Sequence, residues 1–128
     1  MSDCNVCLYS GCESAEEFDE YPNTISKRNY SCSECGEIIP KGTKHQYVSM
    51  TQEGEKSSYR TCNICAEIRR AFNCDVEMYG GMFWEQMEED GFPYFTHACL
   101  NKLKTAAAKK SFVDKWREWK FSQEKPEV

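Results

Sequence analysis

Two short stretches decide the fold: residues 32–36, which read CSECG, and residues 62–65, which read CNIC. Each stretch carries a Cys-x-x-Cys pair, and Cys62 follows Cys35 by 27 positions. A structural zinc site requires four ligands in a tetrahedron, and thiolates about 2.3 Å from the ion satisfy that requirement. Gly36 relieves strain where the backbone turns toward the first two sulfurs. The sequence therefore predicts one Zn²⁺ held by Cys32, Cys35, Cys62 and Cys65.

The residues around these pairs predict a hairpin followed by a helix. Residues 43–50 are a predicted strand and residues 57–61 its returning partner, with a turn between them. From residue 62 to 72 the apolar residues Ile64, Ile68 and Phe72 recur every four positions, as in a helix. Treble-clef zinc fingers begin with a knuckle, which is the turn that carries the first two ligands (here residues 32–36). A hairpin follows, and then a helix that carries the last two ligands at its N-terminus. Residues 25–74 resemble that family.

The flanking segments complete a predicted small α+β zinc-binding domain. Residues 1–24 are predicted to be a cysteine-rich, acidic arm without regular structure. Residues 75–128 are predicted to be a helical extension packed on the finger, with one helix at 82–89 and a second at about 96–121. The expected class is thus a treble-clef knuckle, a β-hairpin and a helix, followed by two C-terminal helices.

The chain has nine cysteines, which allows two four-cysteine sites and one spare thiol. The N-terminus has no basic start and no apolar stretch, so we expect a cytoplasmic protein, and thiols in a reducing cytosol more often hold metal than form disulfides. An acidic arm of this length cannot bury enough apolar surface to order itself, which favours a second metal site as its organiser. The expected second ligand set is Cys4, Cys7, Cys12 and Cys74. His97 and Cys99 are alternative ligands, and Cys99 is otherwise the spare, buried thiol.

Charge is unevenly distributed along the chain. The net charge is −5, which disfavours a general nucleic-acid binder, because such binding depends mainly on phosphate neutralisation. Residues 13–20 and 85–90 are acidic and suit a basic partner surface. The last predicted helix is basic and carries Trp116 and Trp119. It offers an alternative, nucleic-acid binding, through Lys102, Lys104, Lys109, Lys110, Lys115, Arg117 and Lys120. More often, such tryptophans cover a core while the lysines are solvated.

No catalytic constellation is recognisable. A treble-clef nuclease would need a histidine in the hairpin and an asparagine or a histidine on the following helix. His45 lies in the hairpin and Asn63 lies between the two thiols, but no histidine follows Asn63 on the helix. Nuclease chemistry is therefore not expected. We expect His45 to be exposed or half-buried. The zinc-deaminase pattern is absent, because His45 is followed by Gln46 and Tyr47. A redox role would place Cys-x-x-Cys in a βαβ unit, which the pattern does not contain. The sequence predicts no enzyme.

Much of the chain resembles small, mostly uncharacterised zinc-binding proteins of tailed phages and prophages. The resemblance is carried by residues 32–44 (CSECGEIIPKGTK), 59–62 (YRTC), 65–69 (CAEIR), 72–74 (FNC), 79–81 (YGG) and 106–109 (AAAK). It implies the cytosol of an infected bacterium and supplies no activity. The expected function is a non-enzymatic, zinc-stabilised binding module that binds and modulates a host or phage protein, in regulation or anti-defence, without a membrane partner.

Overall fold

The computed structural model describes residues 4, 6–8, 17–74, 79 and 81–124. Cys12 and residues 13–16 of the first acidic segment lie outside the described residues, as does the 75–78 segment. All structural statements below concern the described part of the chain.

A three-stranded antiparallel sheet forms one side of the molecule, with the order β1 (Glu17–Ile25), β4 (Lys44–Gln52), β5 (Glu55–Thr61). A second, two-stranded sheet pairs β2 (Tyr30–Ser31) with β3 (Ile38–Ile39). The predicted hairpin is confirmed as β4 and β5. Its two-residue turn has positive φ at both positions, 52° at Glu53 and 81° at Gly54, which suits the right-handed twist of the paired strands.

Strand β1 was not expected, because residues 1–24 were predicted to lack regular structure. Eight of its nine residues are exposed, so no alternation of apolar and polar side chains signals a strand. Its backbone pairs with β4 along one edge of the sheet, and this pairing is what orders it. Pro22 is tolerated because β1 is an edge strand, and the register shifts between Tyr21 and Thr24.

Helix α1 (Asn63–Phe72) follows β5 directly, as predicted. Helix α2 (Met82–Gln86) continues through a π-helical turn (Met87–Gly91) into a short 3₁₀ turn (Phe92–Tyr94). The predicted last helix is divided: a 3₁₀ helix (His97–Lys102) precedes α3 (Ala106–Glu124). The break has a local cause, because the Thr105 hydroxyl accepts a hydrogen bond from Ala108 N at 3.1 Å and caps α3.

The main core lies among the helices rather than against the sheet. It buries eleven residues: Val6, Leu8, Ile68, Phe72, Phe83, Met87, Phe92, Cys99, Leu103, Ala108 and Phe112. A smaller cluster of Cys32, Ile39 and Cys65 lies at the N-terminal end of α1, and Trp84 packs against both clusters. Helix α1 therefore connects the predicted metal ligands to the aromatic core. Among the described residues, we find no helix that is both long and apolar enough to cross a membrane.

Candidate metal centre

The structure brings together the four cysteines of the two Cys-x-x-Cys pairs. The Sγ atoms of Cys32, Cys35, Cys62 and Cys65 all lie within 4.8 Å of one another, and those of Cys35 and Cys62 are 3.9 Å apart. A tetrahedron with metal–sulfur bonds of about 2.3 Å has sulfur–sulfur edges of about 3.8 Å, so the cluster fits a zinc ion. We call this cluster the sulfur tetrad.

Backbone hydrogen bonds shape both halves of the tetrad. In the first half, Cys32 N donates to Glu37 O at 2.8 Å and Gly36 N to Cys32 O at 2.9 Å, with Gly36 at a φ of 78° that suits glycine. In the second half, Cys62 is the N-cap of α1, and its Sγ accepts from Cys65 N at 3.5 Å. The positive end of the helix dipole therefore lies beside the thiolates.

The two halves are also tied to each other. Cys62 N donates to Cys32 Sγ at 3.4 Å, and Ser33 N donates to Arg60 O at 2.8 Å. The knuckle is thus hydrogen-bonded to the strand that leads into α1, so hydrogen bonds within the protein hold the four cysteines in position.

A buried ion pair provides a further link that sequence reasoning missed. Glu34, inside the first Cys-x-x-Cys, lies 3.8 Å from Arg69 of α1, and both side chains have 0% exposure. Arg69 also donates to Thr61 Oγ1 at 3.3 Å and to Gln46 Oε1, and its guanidinium lies 4.2 Å from the Tyr79 ring centroid. Glu34 Oε2 accepts from Gly81 N at 2.9 Å. The ion pair clamps the knuckle to α1 and to the residues that lead into α2.

The four thiols perturb one another strongly. Hydrogen bonds from Cys35 and then from Cys62 and Cys65 lower the pKa of Cys32, whereas contacts with Cys32 and Cys35 raise the pKa of Cys65. The hydrogen bond with Cys32 raises the pKa of Cys35. The hydrogen bonds with Cys62 and Cys65 together outweigh it, and the pKa of Cys35 is lowered to about 7. Crowded thiols therefore share protons unequally, and a bound cation would replace those protons.

His45 is fully buried, so the expectation of an exposed or half-buried side chain is wrong. Arg60 donates to His45 Nε2 at 2.8 Å, because a guanidinium can only donate, and the Ser26 hydroxyl lies 3.1 Å from His45 Nδ1. His45 thus has hydrogen-bond partners on both ring nitrogens and joins the loop before β2 to the sheet.

The cysteines of the expected second site are arranged differently from the prediction. Cys4 forms a disulfide with Cys99, and Cys7 forms one with Cys74. The prediction of Cys99 as a spare thiol is therefore wrong, and the described members of the predicted set are not assembled as thiols. The paired cysteines are 95 and 67 positions apart, so local spacing could not reveal these partners. A role for Cys12 stays a prediction.

The basic residues of the last helical segments mostly have partners within the chain. Lys102 donates to Val6 O at 3.3 Å, and Lys110 pairs with Asp114 at 2.9 Å. Lys115 lies 4.8 Å from the Trp84 ring centroid and Lys120 lies 5.1 Å from that of Trp116. Trp116 and Trp119 both pack against the main core. His97, the other alternative ligand, is exposed and lies beside Phe95.

A cleft separates the acidic turn after α2 from α3. It has a volume of about 390 Å³ and is lined chiefly by Trp84, Glu88, Glu89, Phe92, Glu118 and Trp119, together with Lys115. Glu88, Glu89 and Glu118 are exposed, whereas Phe92 is buried. The cleft therefore combines an aromatic floor with carboxylates along its edges; we call it the acidic cleft.

Comparison of the chain with protein-family models, with curated proteins and with solved structures finds no match. The chemistry of the centre follows from its ligand set. A tetrahedral set of four sulfurs is typical of zinc or iron, and four protein ligands close a site and leave it a structural role.

Proposed function

We propose that the chain is a non-enzymatic, zinc-stabilised binding module that binds and modulates another protein. In this proposal the sulfur tetrad holds Zn²⁺ in a treble clef made of the knuckle, the β4–β5 hairpin and α1. The ion would supply one function, a fixed junction between the knuckle and α1. The likeness to phage accessory proteins supports a host or phage protein as the partner, bound in the bacterial cytosol.

The acidic cleft is the observation that carries the binding proposal. Its carboxylates lie on two separate elements, Glu88 and Glu89 on the π-helical turn and Glu118 on α3. Trp84 and Trp119 supply aromatic surface between them. Aromatic residues and complementary charge are the features that interfaces use for affinity and for orientation of a partner.

The chemistry of the cleft favours a basic segment of the partner. Lys115 already lies over the Trp84 ring at 4.8 Å, which shows that this aromatic face accepts a cation. A partner lysine or arginine would bind the carboxylates at the edge while its aliphatic stem packs on the tryptophans. Such a contact would cover a basic surface of the partner that otherwise binds an anion. Binding of this chain would then modulate the partner by blocking that surface.

Charge reversal in the cleft tests this proposal. Tagged wild-type protein and the Glu88→Lys/Glu89→Lys variant would be used to capture partners from bacterial lysate, with mass spectrometry to identify them. The matched control is Glu53→Lys/Glu55→Lys, which changes the charge equally at two exposed positions of the β4–β5 hairpin. We expect one purified partner to bind wild type and control equally and the cleft variant at least tenfold more weakly, with affinity falling as salt rises. Equal affinity of all three proteins would refute the cleft as the binding surface.

Nucleic-acid binding is the rival outcome. It predicts that a labelled oligonucleotide binds at low salt and that Lys109→Ala/Lys110→Ala weakens that binding while Glu88→Lys/Glu89→Lys does not. The internal partners of Lys110, Lys115 and Lys120 support the protein partner instead, because these cations already contact groups of the chain itself.

A further inference from the structure

Four of the five cysteines outside the sulfur tetrad, all but Cys12, form two pairs in the described part of the chain. The Cys4 and Cys99 Cα atoms are 4.7 Å apart, and those of Cys7 and Cys74 are 5.6 Å apart. Three peptide units join Cys4 to Cys7, so the Cα atoms of these two residues, one from each pair, cannot be more than about 11 Å apart. Two residues of one Cys-x-x-Cys are thus each placed against a cysteine from a distant part of the chain.

Backbone contacts hold this arrangement independently of the sulfur atoms. Leu8 N donates to Phe72 O at 2.7 Å and Cys74 N donates to Leu8 O at 2.8 Å, so residues 7 and 8 run beside the end of α1. Val6 and Leu8 are fully buried in the main core. Lys102 Nζ donates to Val6 O at 3.3 Å and ties the same segment to the 3₁₀ helix that carries Cys99. The backbone would stay in place when the sulfur pairing changes.

We propose that Cys4, Cys7, Cys74 and Cys99, when reduced, form a second four-thiolate Zn²⁺ site. Like the sulfur tetrad, the set has four cysteines, but here one Cys-x-x-Cys is joined by two single thiols that the fold brings to it. Thiolates on one zinc ion lie about 3.8 Å apart, and rotation about the Cα–Cβ bonds separates paired sulfurs that far. Cys99 takes the place that the sequence suggested for Cys12.

Conversion between the two forms is chemically balanced. A phosphine reductant takes up the oxygen of one water for each disulfide; the S–S bond breaks, the two sulfurs gain two electrons and two protons, and the phosphine becomes its oxide. Binding of Zn²⁺ to the four thiols then displaces four protons. Cys74 is exposed, so a reductant reaches the Cys7–Cys74 bond from solvent, whereas Cys99 is fully buried.

Zinc content of the full chain distinguishes the sites. The protein would be reduced with a phosphine and supplied with excess Zn²⁺, and unbound metal would be removed by gel filtration. We then expect two zinc ions per chain, counted by elemental mass spectrometry. We expect one ion in Cys4→Ser/Cys99→Ser, one in wild type that keeps both disulfides, and two in Cys12→Ser. A count of two zinc ions in Cys12→Ser would show that the second site does not use Cys12 as a ligand.

Cobalt binding supplies a readout in which the wild type itself tests the number of sites. Reduced wild type titrated with Co²⁺ should develop sulfur-to-cobalt charge-transfer bands and tetrahedral d–d bands that saturate at two ions per chain. Saturation at one ion per reduced chain, or loss of the second ion in Cys12→Ser, would overturn the proposal. Because partner binding does not enter this measurement, its outcome is independent of the proposed function.

Discussion

Replacing Arg69 by methionine should destabilise the protein far more than the same change at its neighbour Arg70. Arg69 and Glu34 are fully buried and 3.8 Å apart. Methionine fills much of the same volume but leaves the buried Glu34 carboxylate without its cation. Loss of one member of a buried ion pair costs about 3–5 kcal/mol, because the remaining charge is desolvated without compensation.

Arg70 is a matched control on the same helix. Its side chain is 50% exposed and pairs with Glu20, whose side chain is 30% exposed. A solvent-exposed pair contributes about 0–1 kcal/mol, so Arg70→Met should change the free energy of unfolding by no more than that.

The assay is urea unfolding followed by far-ultraviolet circular dichroism, at pH 7 and with one fixed excess of Zn²⁺, since free zinc stabilises any state that binds it. Arg69→Met/Glu34→Gln should recover part of the lost stability, because the glutamine carries no buried charge. If Arg69→Met fell within about 1 kcal/mol of Arg70→Met, or if the double variant were no more stable than the single one, the clamp between the knuckle and α1 would be refuted.

Three further predictions follow from the tetrad, the core and the start of α3. In protein that keeps both disulfides, Cys65→Ser should abolish tight zinc binding in competition with a chromogenic chelator, and wild-type zinc affinity should fall as pH falls, because protons compete for the thiolates. Phe72→Ala should cost about 3–5 kcal/mol in urea unfolding, since the ring is fully buried, whereas Phe121→Ala, at a position 70% exposed, should change little. Partial burial raises the pKa of Glu67, but hydrogen bonds from the backbone and hydroxyl of Thr105 and from the backbone amide of Lys104 outweigh it and lower the pKa below its usual value of 4.5. Its contribution, about 1 kcal/mol, is therefore complete above pH 4.5 and lost as pH falls through the lowered pKa; Glu67→Gln should remove that pH dependence from the melting temperature, and an unchanged profile would contradict it.

The parts of the structure that sequence predicted are those with a local signature. Spacing located the tetrad, because two Cys-x-x-Cys pairs on either side of a hairpin can supply four ligands to one ion. Apolar recurrence located α1, and a turn between strand-forming residues located the β4–β5 hairpin. Strand β1 had no such signature, since its exposed side chains carry no alternation and its order comes from pairing with β4.

The parts that sequence missed depend on residues far apart in the chain. Nothing near Glu34 indicates Arg69, 35 positions later, as its partner. The pairing of Cys4 with Cys99 could not be deduced either, because cysteine connectivity is set by the fold and not by spacing. Thr105 is the exception, because a threonine before an alanine run is a recognisable N-cap that would have divided the predicted last helix.

The positions of the two buried clusters limit what a metal ion does for this fold. The main core brings eleven residues together without any tetrad cysteine, so zinc does not replace a core here. The metal ligands begin α1 at Cys62 and Cys65, and the same helix ends in the core at Phe72. A metal ion in the tetrad would therefore stabilise the knuckle and the first turn of α1, whereas aromatic packing stabilises its last turn. Because one helix belongs to both, the orientation of α1 couples the tetrad to the core, and the buried ion pair of Glu34 with Arg69 strengthens that coupling in the last turn of the helix.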